Sequence, residues 1–188
     1  MTASAPRPER TGWAFDPPLC RAASRWAAHR AVHRIFAAVS RLGDGWLWYG
    51  LMAVMATCAG RRGVHAALQM ICTGIAAWLL YRTLKRRTRR LRPFRVHADV
   101  VARAPPLDEY SFPSGHTLHA VSFGIVATSW FPLLVLPLAL FAVLVAMSRV
   151  ILGLHYPTDV LAGAVLGTLL GMGSLWIDPL LTAALTAA

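Results

Sequence analysis

From position 45 onwards the chain is built of long apolar runs separated by short polar breaks. Hydropathy divides these runs into five expected spans: Gly45–Gly60, Val64–Tyr81, Thr117–Phe131, Pro132–Met147 and Thr158–Ile177. Several fall short of the ~20 residues a bilayer core requires, so they extend into flanking residues or cross a thinned membrane. Between Thr117 and Ser148 there is no Asp, Glu, Lys or Arg. That stretch is too long for one span, and a turn at "SWFPLL" divides it into a helical hairpin. The last run carries Gly163, Gly167 and Gly171 at four-residue spacing, a small-residue ridge that predicts close helix packing. Upstream, residues 20–42 set Arg and His among Trp, Ile, Phe and Val at helical spacing. Such a segment is too charged to span; it predicts a helix lying in the membrane interface or packed on the protein's own surface. Residues 1–19 read as a mobile, Pro-rich tail without a signal-peptide pattern. The expected fold class is therefore all-α. About five spans plus an N-terminal amphipathic interfacial helix form a transmembrane bundle, with residues 20–188 as one membrane-embedded domain.

Composition sharpens this picture. Of 188 residues, 56% are hydrophobic and only 14% charged, against about a quarter charged in soluble domains. The 19 Lys and Arg outnumber the 8 Asp and Glu, which favours anionic partners: a membrane surface or a phosphorylated ligand. Nucleic acid is excluded as a partner, because most of the chain reads as membrane-spanning. The three cysteines provide neither a disulfide framework nor a zinc spacing. The acids form no carboxylate-rich cage for two metals, and no HExxH occurs, so no metal or other cofactor is expected.

Counting crossings brings residues 82–116 and 148–159 to one face, with "GRRG" and "SWFPLL" on the other. Three polar elements meet there. In "YRTLKRRTRRLRPFR", Lys85 and Arg92 are seven residues apart, two helical turns, which predicts one face and a phosphate clamp. Pro93 is expected to end that helix. Arg86, Arg87 and Arg90 read as a polybasic collar for headgroups or topology. In "SFPSGHTLHA", Ser114 is an expected N-cap, Gly115 lets backbone approach a ligand, and His116 projects from the first turn. A helix start of this kind is an anion site. His119, one turn on, reads as packing. In "SRVILGLHYPTD", Arg149 offers a planar cationic fork, and His155 a nucleophile or proton carrier. Asp159, four residues later, is placed to accept a hydrogen bond from the imidazole. Together these groups suit phosphoryl transfer.

The three pieces fit K-x6-R-P at Lys85 to Pro93, P-S-G-H at 113–116 and S-R-x5-H-x3-D at Ser148 to Asp159. Complete and in order, they resemble the signature of the type-2 phosphatidic acid phosphatases, whose superfamily includes soluble acid phosphatases and vanadium haloperoxidases. The resemblance covers roughly Lys85 to Asp159, and the surrounding apolar runs fit the membrane branch. It implies that His155 attacks phosphorus to form a phosphohistidine and that Asp159 supports it. His116 would protonate the leaving group, while Lys85, Arg92, Arg149, Ser114 and Gly115 hold the phosphate.

The expected reaction is metal-independent hydrolysis of a lipid phosphate such as phosphatidic acid or phosphatidylglycerophosphate. A polyprenyl (undecaprenyl) diphosphate is the alternative substrate, and a non-catalytic binder of anionic membrane lipids the remote one. Headgroup selectivity is expected in the loop Phe94–Phe112, including Asp108, Glu109 and Tyr110. Only Arg61 and Arg62 among the basic residues fall opposite the site, which points to the cytoplasmic face of a bacterial inner membrane.

Overall fold

The computed structural model describes residues 15–186, with side chains as far as Asp178. In chain order the helices are α1 (Asp16–Trp26), α2 (Arg30–Arg41), α3 (Leu47–Cys58), α4 (Gly60–Thr88), α5 (Pro93–Val96), α6 (Gly115–Trp130), α7 (Val135–Ile151) and α8 (Pro157–Thr186). Among the described residues, three stretches are long and apolar enough to cross a membrane: Gly60–Thr88, Pro132–Ile151 and Pro157–Asp178. The other two expected spans are helical but shorter. The 12 residues of α3 rise about 18 Å and the 16 of α6 about 24 Å, less than a hydrocarbon core. Positive-φ glycines bracket α3, at Gly45 and Gly60. Proline limits α6, which starts after Pro113 and stops at Phe131, before Pro132.

The glycine ridge works as expected. Helices α6 and α8 make the most extensive pairing in the bundle. A Cβ on Gly163 would lie 2.6 Å from the Ser114 carbonyl oxygen, and one on Gly167 2.6 Å from that of Leu118. Only glycine permits this approach, and the approach sets the start of α6 beside the start of α8. Trp48, Met52, Met70, Phe123, Val126 and Val145 form the apolar core between α3, α4, α6 and α7. Apolar side chains also cover the outside, among them Leu133, Leu136 and Trp176. That inside-and-outside hydrophobicity is what a lipid solvent selects.

The N-terminal region departs from expectation. Residues 20–42 form two helices rather than one, broken at Ala27–His29, and they dock on the bundle: Phe36 of α2 packs with Ile151 and Leu144 of α7. The first helix starts at Asp16, inside the stretch expected to be tail. Pro17 and Pro18 occupy its opening turn, where a missing N–H costs nothing. Residues 1–14 of the expected tail lie outside the described residues. A π-turn, Leu42–Trp46, joins α2 to α3.

Candidate active site

Lys85 stands in the last turn of α4. Arg89 then adopts the left-handed conformation (φ 49°) and ends the helix at Thr88, before Pro93 can act. Arg92 is therefore extended, not helical. The expectation that it shares a helix face with Lys85 is wrong, yet the two cations still converge. Lys85 Nζ donates to Asp108 Oδ2 at 2.6 Å and Oδ1 at 2.8 Å, and Arg92 Nη2 donates to Oδ1 at 2.7 Å. Arg92 also donates from Nε to the Asp108 carbonyl and from Nη1 to that of Leu154. The loop after α5 folds back through a Leu91–Tyr110 bridge to make these contacts.

Ser114 is the N-cap residue of α6, with extended backbone, but its hydroxyl pairs with that of Thr117 rather than with a backbone N–H. The Ser114 N–H donates to the Asp159 carbonyl at 3.0 Å, tying the two helix starts together. The Tyr81 ring lies against Gly115. His116 Nε2 is in a short hydrogen bond with Asp44 Oδ1. His119 is held by the Gly115 and Gly74 carbonyls and packs on Phe123 and Tyr81, in keeping with a packing role.

Arg149, at the end of α7, is buried and donates to the Ser40 hydroxyl of α2. His155 lies in the turn before α8. Its Nε2 is 3.2 Å from Arg92 Nη1; since guanidinium only donates, Nε2 is the unprotonated nitrogen and the ring proton belongs on Nδ1. Asp159 Oδ2 is 3.6 Å from Nδ1, too far for the expected hydrogen bond, and instead accepts the Tyr156 N–H at 2.9 Å. Asp159 Oδ1 accepts Arg90 Nη1 at 2.5 Å. Arg90, read from sequence as collar, also donates to Asp16 of α1 at 2.7 Å and lies over the Tyr156 ring. Arg86 and Arg87 do stay at or near the surface.

Burial first, then Arg92, Arg149 and Lys85, push His155 well below the ordinary imidazole value, so it is a neutral base at neutral pH. Burial raises Asp108, but Lys85 and Arg92 outweigh it and hold that carboxyl below the usual range. These groups open into one cavity of about 1000 Å³. Lys85, Arg92, His116, Arg149 and His155 line its polar end; Trp48, Tyr49, Ile71, Ile75 and Trp78 line the rest. Such a space takes an anionic head and an apolar tail. Among the described residues, no three His, Cys, Asp or Glu side chains cluster as a metal site.

Residues 62–182 match the family model of the PAP2 superfamily. The chain belongs to that superfamily. Together with its lipid-phosphatase relatives and its long apolar helices, this makes it a hydrolase of lipid phosphoric esters and an integral membrane protein. It is 30% identical over 163 residues to the decaprenylphosphoryl-5-phosphoribose phosphatase of Mycobacterium tuberculosis, covering 83% of this chain and 79% of that one. It is 29% identical over 144 residues to an undecaprenyl-diphosphatase of Sulfolobus acidocaldarius, covering 74% and 68%. The fold matches the transmembrane PAP2-type phosphatidylglycerolphosphate phosphatase of Bacillus subtilis with TM-score 0.72 and 26% identity, over 87% of this chain and 84% of that one.

Asp16, Ser40 and Asp44 of this PAP2 protein were not singled out by sequence reasoning, and Arg90 was read only as collar. The one local signal was Gly-Asp-Gly at 43–45, an acid between two glycines at the edge of an apolar run.

Proposed function

We propose that this PAP2 enzyme removes phosphate from a membrane lipid without a metal, through a phosphohistidine at His155. The convergence of Lys85, Arg92, Arg149, His116 and His155 on one cavity with an apolar wall carries this reading. In the first step the Nε2 lone pair forms the N–P bond. The ester P–O bond breaks, and its electrons leave on the lipid oxygen, which takes a proton from His116. Asp159 stabilises the positive charge on the phosphorylated ring. In the second step water attacks phosphorus and gives its proton to His116, and the N–P electrons return to Nε2. Lys85, Arg92 and Arg149 offset the charge on the phosphoryl oxygens throughout, the role a metal has elsewhere. The basic residues gathered on the site's side support a cytoplasmic-facing site in a bacterial inner membrane.

Two substrate classes fit. Phosphatidic acid and phosphatidylglycerophosphate suit the cavity, and the Bacillus subtilis neighbour favours the second of them. A polyprenylphosphoryl-phosphoribose and a polyprenyl diphosphate are favoured by the Mycobacterium tuberculosis and Sulfolobus acidocaldarius relatives respectively, both matched over most of this chain. Phosphate release should be measured across these four lipids with the purified protein in detergent, with and without EDTA. Release from at least one, unchanged by EDTA, is expected. Release from none, or release abolished by chelator, overturns the proposal.

Asp108 occupies two of the three cations offered to a phosphate, Lys85 and Arg92, so an incoming anion must displace its carboxylate. Asp108→Asn is expected to lower the Ki of orthovanadate or inorganic phosphate by about tenfold, equivalent to ~1.4 kcal/mol. A Ki that stays the same or rises would show that the carboxylate does not compete with the anion.

A further inference from the structure

The segment joining α2 to α3 reaches into the site, although none of the three motifs includes it. Its Asp44 carboxylate meets His116 Nε2, and the lining of the cavity includes both residues. The backbone around Asp44 is built for this contact. Gly45 has φ 134°, which an L side chain rarely adopts, and the π-turn Leu42–Trp46 bends the chain there. A Cβ on Gly43 would lie 3.2 Å from a Val145 methyl and 3.8 Å from His116 Cδ2, so the turn sits tightly against α7 and the imidazole. One turn earlier, Ser40, in the last turn of α2, accepts a hydrogen bond from Arg149. Two site residues on α6 and α7 are thus held from a third element.

We infer that Asp44 is a positioning residue for His116: it accepts the Nε2 proton, fixes the ring, and leaves Nδ1 to exchange a proton with the leaving oxygen. This rests on the reading of His116 as general acid. Nδ1 makes no hydrogen bond to the described residues, whereas Nε2 is engaged. Burial and the nearby Arg149 cation lower the His116 pKa to about 4, and Asp44 offsets them only in part. The free ring is therefore neutral, and the proton it donates arrives with the substrate's monoanionic phosphate. Asp44 is itself held below the usual carboxyl range; burial raises it, but the His116 hydrogen bond and nearby Arg149 and Arg41 prevail. The site would then hold two carboxylate–imidazole pairs, Asp159 for the nucleophile and Asp44 for the acid.

A general acid matters when the leaving group is a poor one. The test therefore compares a long-chain alkyl phosphate with an aryl phosphate bearing the same chain, whose phenolate departs without help. Asp44→Asn is expected to lower kcat about 10²-fold for the alkyl ester and less than threefold for the aryl ester, with His116→Ala showing the same split. The ratio within one preparation does not depend on how much of the variant is folded. Equal losses on both esters, or no loss on either, overturn the assignment. If His116→Ala shows no split while His155→Ala is inactive on both esters, His116 is not the acid. Asp44 then loses its role, but the phosphatase mechanism stands. Activity surviving in His155→Ala overturns the phosphohistidine reading instead.

Discussion

Replacing His155 with alanine is expected to lower phosphate release from a lipid phosphate monoester at least ~10⁴-fold, the scale seen when a nucleophile or its base is removed. The reason lies in one nitrogen. Nε2 is the atom of this ring that accepts from Arg92, and the same guanidinium shares Asp108 with Lys85. Once a phosphate displaces Asp108, phosphorus is brought within reach of that lone pair. No neighbour can substitute, because Arg92, Arg149 and Lys85 are cations and His116 is bound to Asp44. Brief incubation with a radiolabelled substrate should leave an acid-labile, base-stable label on the wild type and none on the variant. More than about one per cent residual activity would remove His155 from the reaction.

The pH dependence follows from the same surroundings. Because burial and the cations depress its pKa, His155 stays unprotonated as the pH falls through the ordinary imidazole range. The acid limb of kcat/KM, which reports the free enzyme, should lie clearly below ~6.5 once the substrate phosphate's own ionisation near ~6 is allowed for. The sign for stability is the same. An unfolded His155 binds a proton below ~6.5 and the folded one does not, so folding loses this contribution as pH falls through that value.

The apolar runs and the three motifs were legible because each is a local pattern read by its own period or spacing. Even there, local rules misled at Lys85 and Arg92. Helical spacing put them on one face, whereas Arg89 ends the helix and tertiary contacts with Asp108 bring them together. The counter-ions were not legible. Asp16, Asp44 and Asp108 come from three different segments, and nothing near each in sequence says which cation it will meet. Asp44 and His116 are 72 residues apart, and Asp16 and Arg90 74. Buried cations require such partners. Which acid serves is decided by how α1 and the π-turn dock on the bundle.

Arg90→Ala is expected to destabilise the fold by about 3–5 kcal/mol, the range for breaking a buried ion pair from one side. The guanidinium bridges two carboxylates that are both fully buried, Asp16 and Asp159, and donates to the Thr158 hydroxyl as well. Asp16 also accepts from the N–H and hydroxyl of Thr158, so this knot fastens α1 to the first turn of α8. Removing the cation leaves two negative charges together in a low-dielectric setting. Truncating Asp16 instead leaves Arg90 still paired with Asp159 and should cost less. Asp16→Asn in the Arg90→Ala background should recover part of the loss by removing one of two neighbouring negative charges, a coupling a double-mutant cycle reads directly. In detergent, Arg90→Ala should melt roughly 10 °C lower. Its kcat should also fall, because Asp159, 3.6 Å from His155 Nδ1, loses the group that holds it there, while Arg87→Ala, at the surface and outside the cavity lining, changes neither. A melting temperature within two degrees or so of wild type for Arg90→Ala would mean that groups other than Arg90 compensate Asp16 and Asp159.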